Sequence, residues 1–456
     1  MIFLLNYVKL FTWSLIYKNS PSDIVLKIIK KNIDDCGCIA VKFIQWVLPK
    51  VEVLYNIDKK EKGNEWFYEF EEFYDNCKTH SLKVTEKIYQ EDFNNSIYDD
   101  FKIDGLIASG SIGQVYKVHN KKNEYFALKV IHPNMISQIQ FLDYIIQILY
   151  FFPCIRDYIN YYLPVSLLDF VNDFKLQTNL INEGNNCLKF QKEYENNSYI
   201  IIPEVHKLSR NVLVMSYEEG IKFDDKDCSD YIKSQYQLLV KLFVKHNQYF
   251  FFMHGDLHKG NWKVKDDGRI IIYDFGYCWK SPKYLQDSFQ KIDKAFLDID
   301  DENKVMDTFT EACYLFILQK IDKDEIREEV YRLSRDLSCQ DTTFLFKLLI
   351  NCLRKNNIVL ESYVLQSLIL HNQVQNNLLR YNATIQKTDK AGHIYHTYYR
   401  KQIHDIICFC QTKKVFPEYC KLIEKEYEEE NIVLNGLFET VNNYDNIPGL
   451  KRLAIS

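Results

Sequence analysis

The pattern of hydrophobic and polar positions divides the chain into helix-like and strand-like stretches. Apolar residues recur three and four positions apart over residues 24–33, 38–47, 64–77, 82–91, 135–152 and 167–190. Each of these stretches predicts one helix that is amphipathic or buried. Ser22 and Asp23 supply a start signal for the first helix, and Pro49 is expected to end the second. Residues 50–63 then read as a charged loop.

From Phe101 onward the spacing of apolar residues becomes strand-like. It predicts a hairpin whose turn is Lys121-Lys122-Asn123 and whose second strand begins at Tyr125. Two further strands are expected at 200–203 and 211–215. Residues 216–220 would then link this sheet to the rest of the chain.

After Tyr231 the pattern is helical, apart from a hairpin over 264–274. The predicted helices cover residues 232–252, 284–298, 303–319, 341–354, 361–379, 403–412 and 417–428. This order of elements predicts an α+β protein in three parts. They are a helical extension over 1–100, a strand-containing lobe over 101–218 and a largely helical lobe over 219–456.

Composition narrows the class of protein. A chain of 456 residues with 47% hydrophobic and 15% aromatic residues can bury a large core, which argues against disorder. The net charge is −5, with both signs interspersed and no basic tract, so we expect no nucleic-acid partner. The thirteen cysteines are an odd number scattered through helical patterns, which predicts a reducing, intracellular compartment.

Residues 1–17 are strongly apolar but interrupted by Asn6, Lys9, Thr12 and Ser14. They fall short of the ~20 uninterrupted apolar residues that a spanning helix requires. Two interpretations stay open, namely a helix that associates with a membrane surface and a helix packed on the main body. The absence of an Arg- and Ser-rich pattern here argues against a mitochondrial transit peptide.

Candidate chemistry concentrates in residues 254–276. The stretch His-Gly-Asp-Leu-His-Lys-Gly-Asn contains Asp256 and Asn261, and Asp274-Phe-Gly follows thirteen positions after the Asn. Phosphoryl transfer needs a carboxylate that orients the nucleophile and hard oxygen ligands that hold Mg²⁺ on the phosphates. We therefore predict ATP and Mg²⁺ as cofactors, Asp256 as the catalytic residue, and Asn261 and Asp274 as metal ligands.

The first predicted hairpin carries a second phosphate-binding candidate. Small residues at its front let backbone N–H groups approach phosphates, and Lys129 on the returning strand can bridge two of them. An unpaired ammonium in a cleft wall is costly, so Glu183 is the predicted partner of Lys129. The remaining predicted ATP-binding residues are Ile107, Ala108, Ser109, Gly110, Ser111, Ile112, Gly113, Gln114, Val115, Met215 and Tyr217. Backbone groups of the 216–220 link can bond an adenine edge.

From about residue 22 onward the chain resembles the UbiB/ADCK (aarF-domain) family of atypical kinase-like proteins. The matching segments are Gly37–Gln45, Ser111–Val115, Ala127–Pro133, Glu183–Asn186, His254–Asn261 and Asp274–Gly276. They resemble, in order, the family's N-terminal Lys-x-Gly-Gln motif, its nucleotide loop, strand lysine, pairing glutamate, catalytic loop and metal loop. The resemblance implies a two-lobed, protein-kinase-like fold. It also implies that Lys42 and Gln45 belong to a regulatory element that occludes the active site.

The chain departs from the family pattern at three places. Ile44 stands where the N-terminal motif has its glycine, and Gln177-Thr-Asn179 replaces an acidic Glu-x-Asp motif. A charged pairing of Lys42 with position 177 is therefore lost, although an uncharged hydrogen bond remains open. Gly110 and Gly113 bring the nucleotide loop closer to that of an ordinary protein kinase.

Three functions stay open at this point. The first is an ATP- and Mg²⁺-dependent atypical kinase or ATPase with an unknown phosphate acceptor, which the resemblance links to quinone or lipid metabolism at membranes. The second is a small-molecule phosphotransferase of the aminoglycoside or choline kinase type, which shares the catalytic-loop sequence. The third is a nucleotide-binding pseudokinase scaffold. Residues 37–45 and 111–115 favour the first, and the lack of Ala-Pro-Glu after Asp274 argues against an ordinary protein substrate.

Overall fold

The computed structural model is described for most of the chain. The described residues are 2–55, 65–71, 77–223, 230–258, 260–265, 267–295, 302–335, 342–371, 410 and 415–429. The helices are α1 (Ile2–Asn19), α2 (Asp23–Cys36), α3 (Cys38–Tyr55), α4 (Glu65–Glu71), α5 (Leu82–Phe93), α6 (Ile97–Asp100), α7 (Met135–Phe151), α8 (Pro153–Tyr162), α9 (Leu167–Gln177), α10 (Leu180–Glu193), α11 (Asp230–Phe250), α12 (Lys283–Ala295), α13 (Glu302–Phe316), α14 (Lys323–Ser334), α15 (Thr342–Lys355) and α16 (Pro417–Glu429). The strands are β1 (Lys102–Ser109), β2 (Gly113–His119), β3 (Tyr125–Ile131), β4 (Ile200–Ile201), β5 (Val205–Leu208), β6 (Val212–Ser216), β7 (Phe252–His254), β8 (Trp262–Val264), β9 (Ile270–Ile272) and β10 (Cys278–Lys280).

Residues 102–216 contain a five-stranded sheet with the order β1-β2-β3-β6-β5. The predicted hairpin is confirmed, because β2 and β3 pair in antiparallel register from Gly113↔Ile131 to His119↔Tyr125. Leu128 and Val130 are fully buried in a cluster built around Tyr89 of α5. Since side chains alternate along a strand, Lys129 between them is directed to the opposite face of the sheet.

The second predicted helix does not end before Pro49, because α3 continues through it to Tyr55. A proline inside a helix removes one hydrogen bond and costs about 3 kcal/mol. Leu48 before Pro49 is buried, and Lys50 after it donates a hydrogen bond of 3.0 Å to the Trp46 carbonyl, so packing and local hydrogen bonding offset that cost and keep the helix continuous. The loop predicted at 50–63 is therefore helical at its start, and its remainder lies outside the described residues.

The single helix predicted over 167–190 is two helices, α9 and α10. The break falls at Thr178 and Asn179, and the Asn179 side chain accepts a hydrogen bond from the Ile181 N–H as the N-cap of α10. Asparagine is among the strongest N-cap residues, so it starts a new helix even though the apolar spacing continues through it. The break coincides with the Gln177-Thr-Asn179 segment.

The rest of the described chain is mainly helical, as predicted. Helices α11 to α16 enclose one large apolar core, within which Leu242, Phe243 and Phe289 are fully buried. The predicted hairpin is confirmed as β8 and β9, and β4 adds to β9 in parallel. The spacing did not predict α14, β5 or the β7–β10 pair. The helix predicted at 361–379 is described only to residue 371, and that at 403–412 lies outside the described residues except for Cys410.

Among the described helices, none is by itself both long and apolar enough to cross a membrane. Helices α7 and α8 reach the required length and hydropathy only when taken together, and their axes are bent by 107° at Phe152.

Candidate functional site: a nucleotide and metal cleft

A buried lysine between two carboxylates forms the centre of the site. The Lys129 Nζ lies 2.8 Å from both carboxylate oxygens of Glu183 and 3.2 Å from Oδ1 of Asp274. Burial by itself would lower the pKa of Lys129, but the two carboxylates raise it above its usual value. Burial raises the pKa of Glu183, and the charge of Lys129 opposes that shift. The ammonium therefore stays charged, and the predicted Lys129–Glu183 pair is present.

The local sequence explains how this pair forms. On β3, Lys129 lies opposite Val115 of β2 and Leu213 of β6, in the middle of the sheet. Helix α10 places Glu183 in its first turn, next to Gly184. A Cβ atom at Gly184 would lie 2.5 Å from Cδ1 of Leu208 on β5, so glycine lets the helix approach the sheet closely.

The turn that carries Asp274 is held against α10 and the catalytic loop. Asp274 has a left-handed backbone with φ 56°, and the Asn186 amide of α10 donates a hydrogen bond of 3.0 Å to the Phe275 carbonyl. The buried Phe275 ring packs against the His254 ring at a centroid distance of 5.2 Å. His254 Nε2 hydrogen-bonds the Tyr273 carbonyl at 2.8 Å. The two loops therefore form one rigid unit.

Asn261 and Asp274 have the chemistry of a Mg²⁺ site. The Asn261 Nδ2 donates a hydrogen bond of 2.7 Å to the backbone carbonyl of Asp256, which leaves its Oδ1 as the oxygen for a ligand. Burial would raise the pKa of Asp274, but the positive charges of Lys129 and Lys42 act together against it, and the pKa lies below its usual value. An ionised carboxylate and an oriented amide oxygen are hard oxygen ligands, so these residues fit Mg²⁺.

Helix α3 reaches both Asp256, the candidate catalytic residue, and Ser111 in the candidate nucleotide loop. The Lys42 Nζ lies 3.1 Å from Oδ2 of Asp256, and one turn later Gln45 Oε1 accepts a hydrogen bond of 2.9 Å from the Ser111 hydroxyl. Burial would raise the pKa of Asp256, but the positive charge of Lys42 is the largest influence in the other direction, and the pKa lies below its usual value. The lost pairing with position 177 is thus replaced by an ion pair with Asp256.

Hydrogen bonds from His80 and His132 hold the candidate nucleotide loop in place. Gln114 is fully buried, and its amide exchanges two hydrogen bonds with the backbone of His80, at 3.0 and 3.1 Å. Its predicted contact with a nucleotide can therefore be made only through the backbone. His80 also hydrogen-bonds His132, whose other ring nitrogen contacts the Gly110 carbonyl at 2.9 Å.

The two loop glycines have different structural roles. A Cβ atom at Gly113 would collide with the Val130 carbonyl on β3, so the strand pairing requires glycine there. At Gly110 the nearest atom to a Cβ would be the Gly113 carbonyl at 3.8 Å, which is an ordinary contact. The strand pairing thus gives Gly113 a structural role, and the approach of the Gly110 and Gly113 backbone to phosphates stays a prediction.

The other predicted nucleotide-binding residues lie on the strands and the link around the loop. Ile107 and Ala108 are exposed on β1, whereas Ser109 and Ile112 are buried. Met215 is buried in β6, opposite Ala127 and Val205.

The link after β6 is partly engaged by the sheet. The Tyr217 N–H donates a hydrogen bond of 3.0 Å to the Tyr125 carbonyl, and its ring faces Lys117 Nζ at 4.4 Å. An adenine edge at Tyr217 would therefore need a group other than this amide.

The sequence did not reveal a buried relay behind the catalytic loop. The Lys50 Nζ donates a hydrogen bond of 2.9 Å to Gln366 Oε1, and Gln366 Nε2 donates one of 2.9 Å to the Gly255 carbonyl. Burial lowers the pKa of Lys50 to about 7. The Tyr277 hydroxyl donates a hydrogen bond of 3.0 Å to Asp173, and burial raises the pKa of Asp173 to about 6. The sequence signal that could have indicated this network is Lys50, a lysine inside the apolar helix α3.

Comparison with known proteins agrees with this geometry. The ABC1 atypical kinase-like domain matches residues 72–308. A probable serine/threonine-protein kinase, abkC of Dictyostelium discoideum, is 26% identical over 268 residues, which is 56% of this chain and 37% of abkC. The probable protein kinase UbiB of Photorhabdus laumondii is 28% identical over 222 residues, which is 44% of this chain and 37% of UbiB. The matched region thus spans little more than a third of these relatives.

Among solved structures, the complex of Rv3197 with erythromycin from Mycobacterium tuberculosis is similar at 18% identity and a TM-score of 0.42. That similarity covers 50% of this chain and 60% of that chain. The domain match covers more than half of the 456 residues. The chain therefore belongs to the ABC1 atypical kinase-like family, which includes the UbiB and ADCK proteins.

Proposed function

We propose that this protein uses ATP and Mg²⁺ to transfer the γ-phosphate to an acceptor, as a two-lobed atypical kinase or ATPase of the UbiB/ADCK type. One observation carries the proposal, namely the buried Lys129 ammonium between the Glu183 and Asp274 carboxylates. Kinases hold the phosphates of ATP with a strand lysine that a helix glutamate positions beside the metal-loop aspartate.

The other residues take roles that follow from their chemistry. Lys129 would bind the α- and β-phosphates, and the loop with Gly110 and Gly113 would cover them. Asn261 and Asp274 would hold Mg²⁺, and the bound ion would supply positive charge that neutralises the phosphates. The hydrogen bond from Asn261 to the Asp256 carbonyl keeps the catalytic and metal-binding side chains in fixed relative positions.

Asp256 orients the attacking hydroxyl or water, and Lys42 controls access to it. A carboxylate oxygen that accepts a hydrogen bond from Lys42 competes poorly for an acceptor hydroxyl. Lys42 therefore has to move before transfer. The Gln45–Ser111 hydrogen bond couples that movement to the nucleotide loop, so α3 acts as an occluding, regulatory element.

The phosphate acceptor is a protein, a small molecule, a lipid or water. A link to membrane lipid or quinone metabolism is part of this proposal and rests on the family resemblance. A phosphotransferase of the aminoglycoside or choline kinase type is the alternative enzyme, but the contact of Lys42 with Asp256 favours the UbiB/ADCK type. A pseudokinase scaffold is the alternative that is not an enzyme. The contact of Lys42 with Asp256 is compatible with it, because it occupies the carboxylate that catalysis would need.

The test is ATP hydrolysis by the purified protein, with and without anionic liposomes. We expect Mg²⁺-dependent turnover that falls by about 100-fold or more in Asp256→Asn and in Asp274→Asn. Asp267→Asn is the matched control, because Asp267 is exposed and pairs with Arg269 on the surface. Wild-type turnover in the first two variants would overturn the assignment. Tight nucleotide binding without phosphate release under either condition would favour the scaffold.

A further inference from the structure

The corner between α7 and α8 exposes an unusual concentration of large apolar side chains. Phe151 is 79% exposed and Phe152 is 47% exposed, and every residue from 151 to 156 is exposed to solvent. Tyr144 and Ile148 on α7, and Tyr158 on α8, extend the same surface. A contiguous exposed apolar surface on a folded protein generally marks an interaction site.

The opposite side of α7 is firmly attached to the protein. Met135, Ile139 and Ile146 are buried in a cluster with Phe170 of α9 and Ile39 of α3. The helix is therefore anchored along one face and cannot leave the body to be immersed in a bilayer. The bend of 107° also prevents α7 and α8 from crossing a bilayer as one rod. Only the corner and the outer faces are free to contact another phase.

The chemistry of this surface fits a lipid interface. Phenylalanine and isoleucine side chains prefer the acyl boundary, and tyrosine combines an apolar ring with a hydroxyl that suits the headgroup region. Helices α7 and α8 together reach the hydropathy of a membrane segment although neither spans. The corner is also a run of six exposed residues. A lipid interface is deformable, so it can contact such a run without providing a complementary groove.

The charges beside the surface are paired within the protein. Arg156 forms an ion pair with Asp157 at 3.0 Å, and Asp143 forms one with Lys175 at 2.5 Å. These pairs are electrically neutral, so they provide little attraction for an acidic protein or for an anionic headgroup. The contact should therefore depend on apolar insertion and only weakly on lipid charge or salt.

The apolar helix α1 contacts α7. The Tyr7 ring of α1 packs on the Phe141 ring of α7 at a centroid distance of 5.9 Å. Leu15 and Ile16 of α1 are exposed as well. The segment at residues 1–17, which the sequence marks as a candidate for membrane association, thus contacts the helix that leads to the corner.

We propose that the α7–α8 corner, residues 151–155, inserts into the interfacial layer of a lipid bilayer. The Phe151 and Phe152 side chains are the inserted groups, and the partner is the apolar interface of the membrane rather than a specific anionic headgroup. The buried face of α7 holds the corner in position, so the protein lies on the membrane. This inference does not depend on the proposed phosphoryl transfer.

Vesicle flotation without nucleotide tests the proposal. The full chain is mixed with vesicles of phosphatidylcholine alone, or of phosphatidylcholine with an anionic lipid, in low and in high salt. We expect wild type to float with both, and Phe151→Ser/Phe152→Ser to lose about tenfold or more of its binding. Leu188→Ser/Tyr331→Ser is the control, because it removes two large side chains that are exposed elsewhere, at 45% and 41%, and its binding should match wild type.

The proposal would be overturned if the double-Phe variant floated like wild type, or if the control variant lost as much binding. Binding only to anionic vesicles that high salt removes would also overturn it, as would a loss seen only in a third variant, Leu15→Ser/Ile16→Ser, which alters α1. Self-association of wild type in sedimentation that the double-Phe variant abolishes, with no vesicle binding, would make the corner a protein interface instead. ATP turnover is a separate readout, so an inactive enzyme would leave the flotation result unchanged.

Discussion

The Lys42 ammonium contacts the carboxylate of Asp256 at 3.1 Å, across 214 positions of the chain. This ion pair joins the N-terminal helical region to the catalytic loop. Both side chains are more than half buried, at 11% and 32% exposure, so the contact is partly protected from solvent. In the proposed mechanism, Lys42 therefore contacts the carboxylate that would orient the phosphate acceptor.

Replacing Lys42 should change the pH dependence of ATP turnover. Burial favours the neutral form of Asp256, and Lys42 is the largest single influence that lowers its pKa. In Lys42→Met the pKa should rise, so the acidic limb of the pH–rate profile should move to higher pH. Turnover on the alkaline plateau should increase several-fold, because the carboxylate becomes accessible. Lys42→Arg keeps the charge and is the control, and an unmoved acidic limb in Lys42→Met would contradict the prediction.

Removing the Lys129 ammonium should destabilise the fold as well as abolish ATP binding. Lys129→Met leaves the buried Glu183 beside Asp274 without a counter-charge, which should cost about 3 kcal/mol of unfolding free energy. Adding Glu183→Gln should restore part of that loss, because the second change removes a buried charge. Urea denaturation of the two single variants and the double variant measures this coupling. The exposed Lys283→Met is the control, and additive losses would argue against a buried charge network.

The two glycines of the nucleotide loop should respond differently to alanine. Gly113→Ala should lower the unfolding free energy by about 2–3 kcal/mol, since its methyl group meets the Val130 carbonyl of the neighbouring strand. Gly110→Ala should stay within about 0.5 kcal/mol of wild type, because the space there is open. Thermal and urea denaturation of both variants provide the comparison. Equal effects would show that the strand pairing at Gly113 can relax.

The buried Lys50 should make stability rise with pH. Burial lowers the pKa of Lys50 from its ordinary value of 10.5 to about 7, although the charges of Asp256 and Asp173 act in the opposite direction. Between these values the unfolded chain binds a proton that the folded protein does not. The contribution of Lys50 to stability should therefore increase by about 1.4 kcal/mol per pH unit in this window, and stay constant below it.

Comparison with Lys50→Met isolates that contribution. Wild type and variant share all other titratable groups, so the effects of those groups on stability cancel in the difference. As the pH rises from about 7 to about 9, the unfolding free energy of wild type should increase relative to that of the variant. Urea denaturation across this range measures the shift. A constant difference would mean that Lys50 stays protonated through its hydrogen bonds to Trp46 and Gln366.

Much of the site could be predicted from local signals. Lys129 lies in an apolar strand that follows a predicted turn, and the requirement for a counter-charge led to Glu183, which the structure places at 2.8 Å. Asp274 follows a buried strand, as its flanking apolar residues indicate. The errors are equally local in origin. The predictions at Pro49 and Asn179 followed the average preferences of residues in helices. In the structure, local packing keeps α3 continuous through Pro49, and the side chain of Asn179 caps a new helix that separates α10 from α9.

The sequence by itself determined the secondary-structure order, the residue types of the nucleotide and metal site, and the pairing of Lys129 with Glu183. Each of these depends on periodicity, turn chemistry or the cost of an unpaired charge, which a run of residues records. Only the tertiary structure decided that Lys42 meets Asp256 and that Lys50 supports Gly255 through Gln366. It also decided that Gln114 faces His80 and that Phe151 stays exposed. These contacts join or expose residues far apart in the chain, and local periodicity carries no record of which distant surfaces pack together.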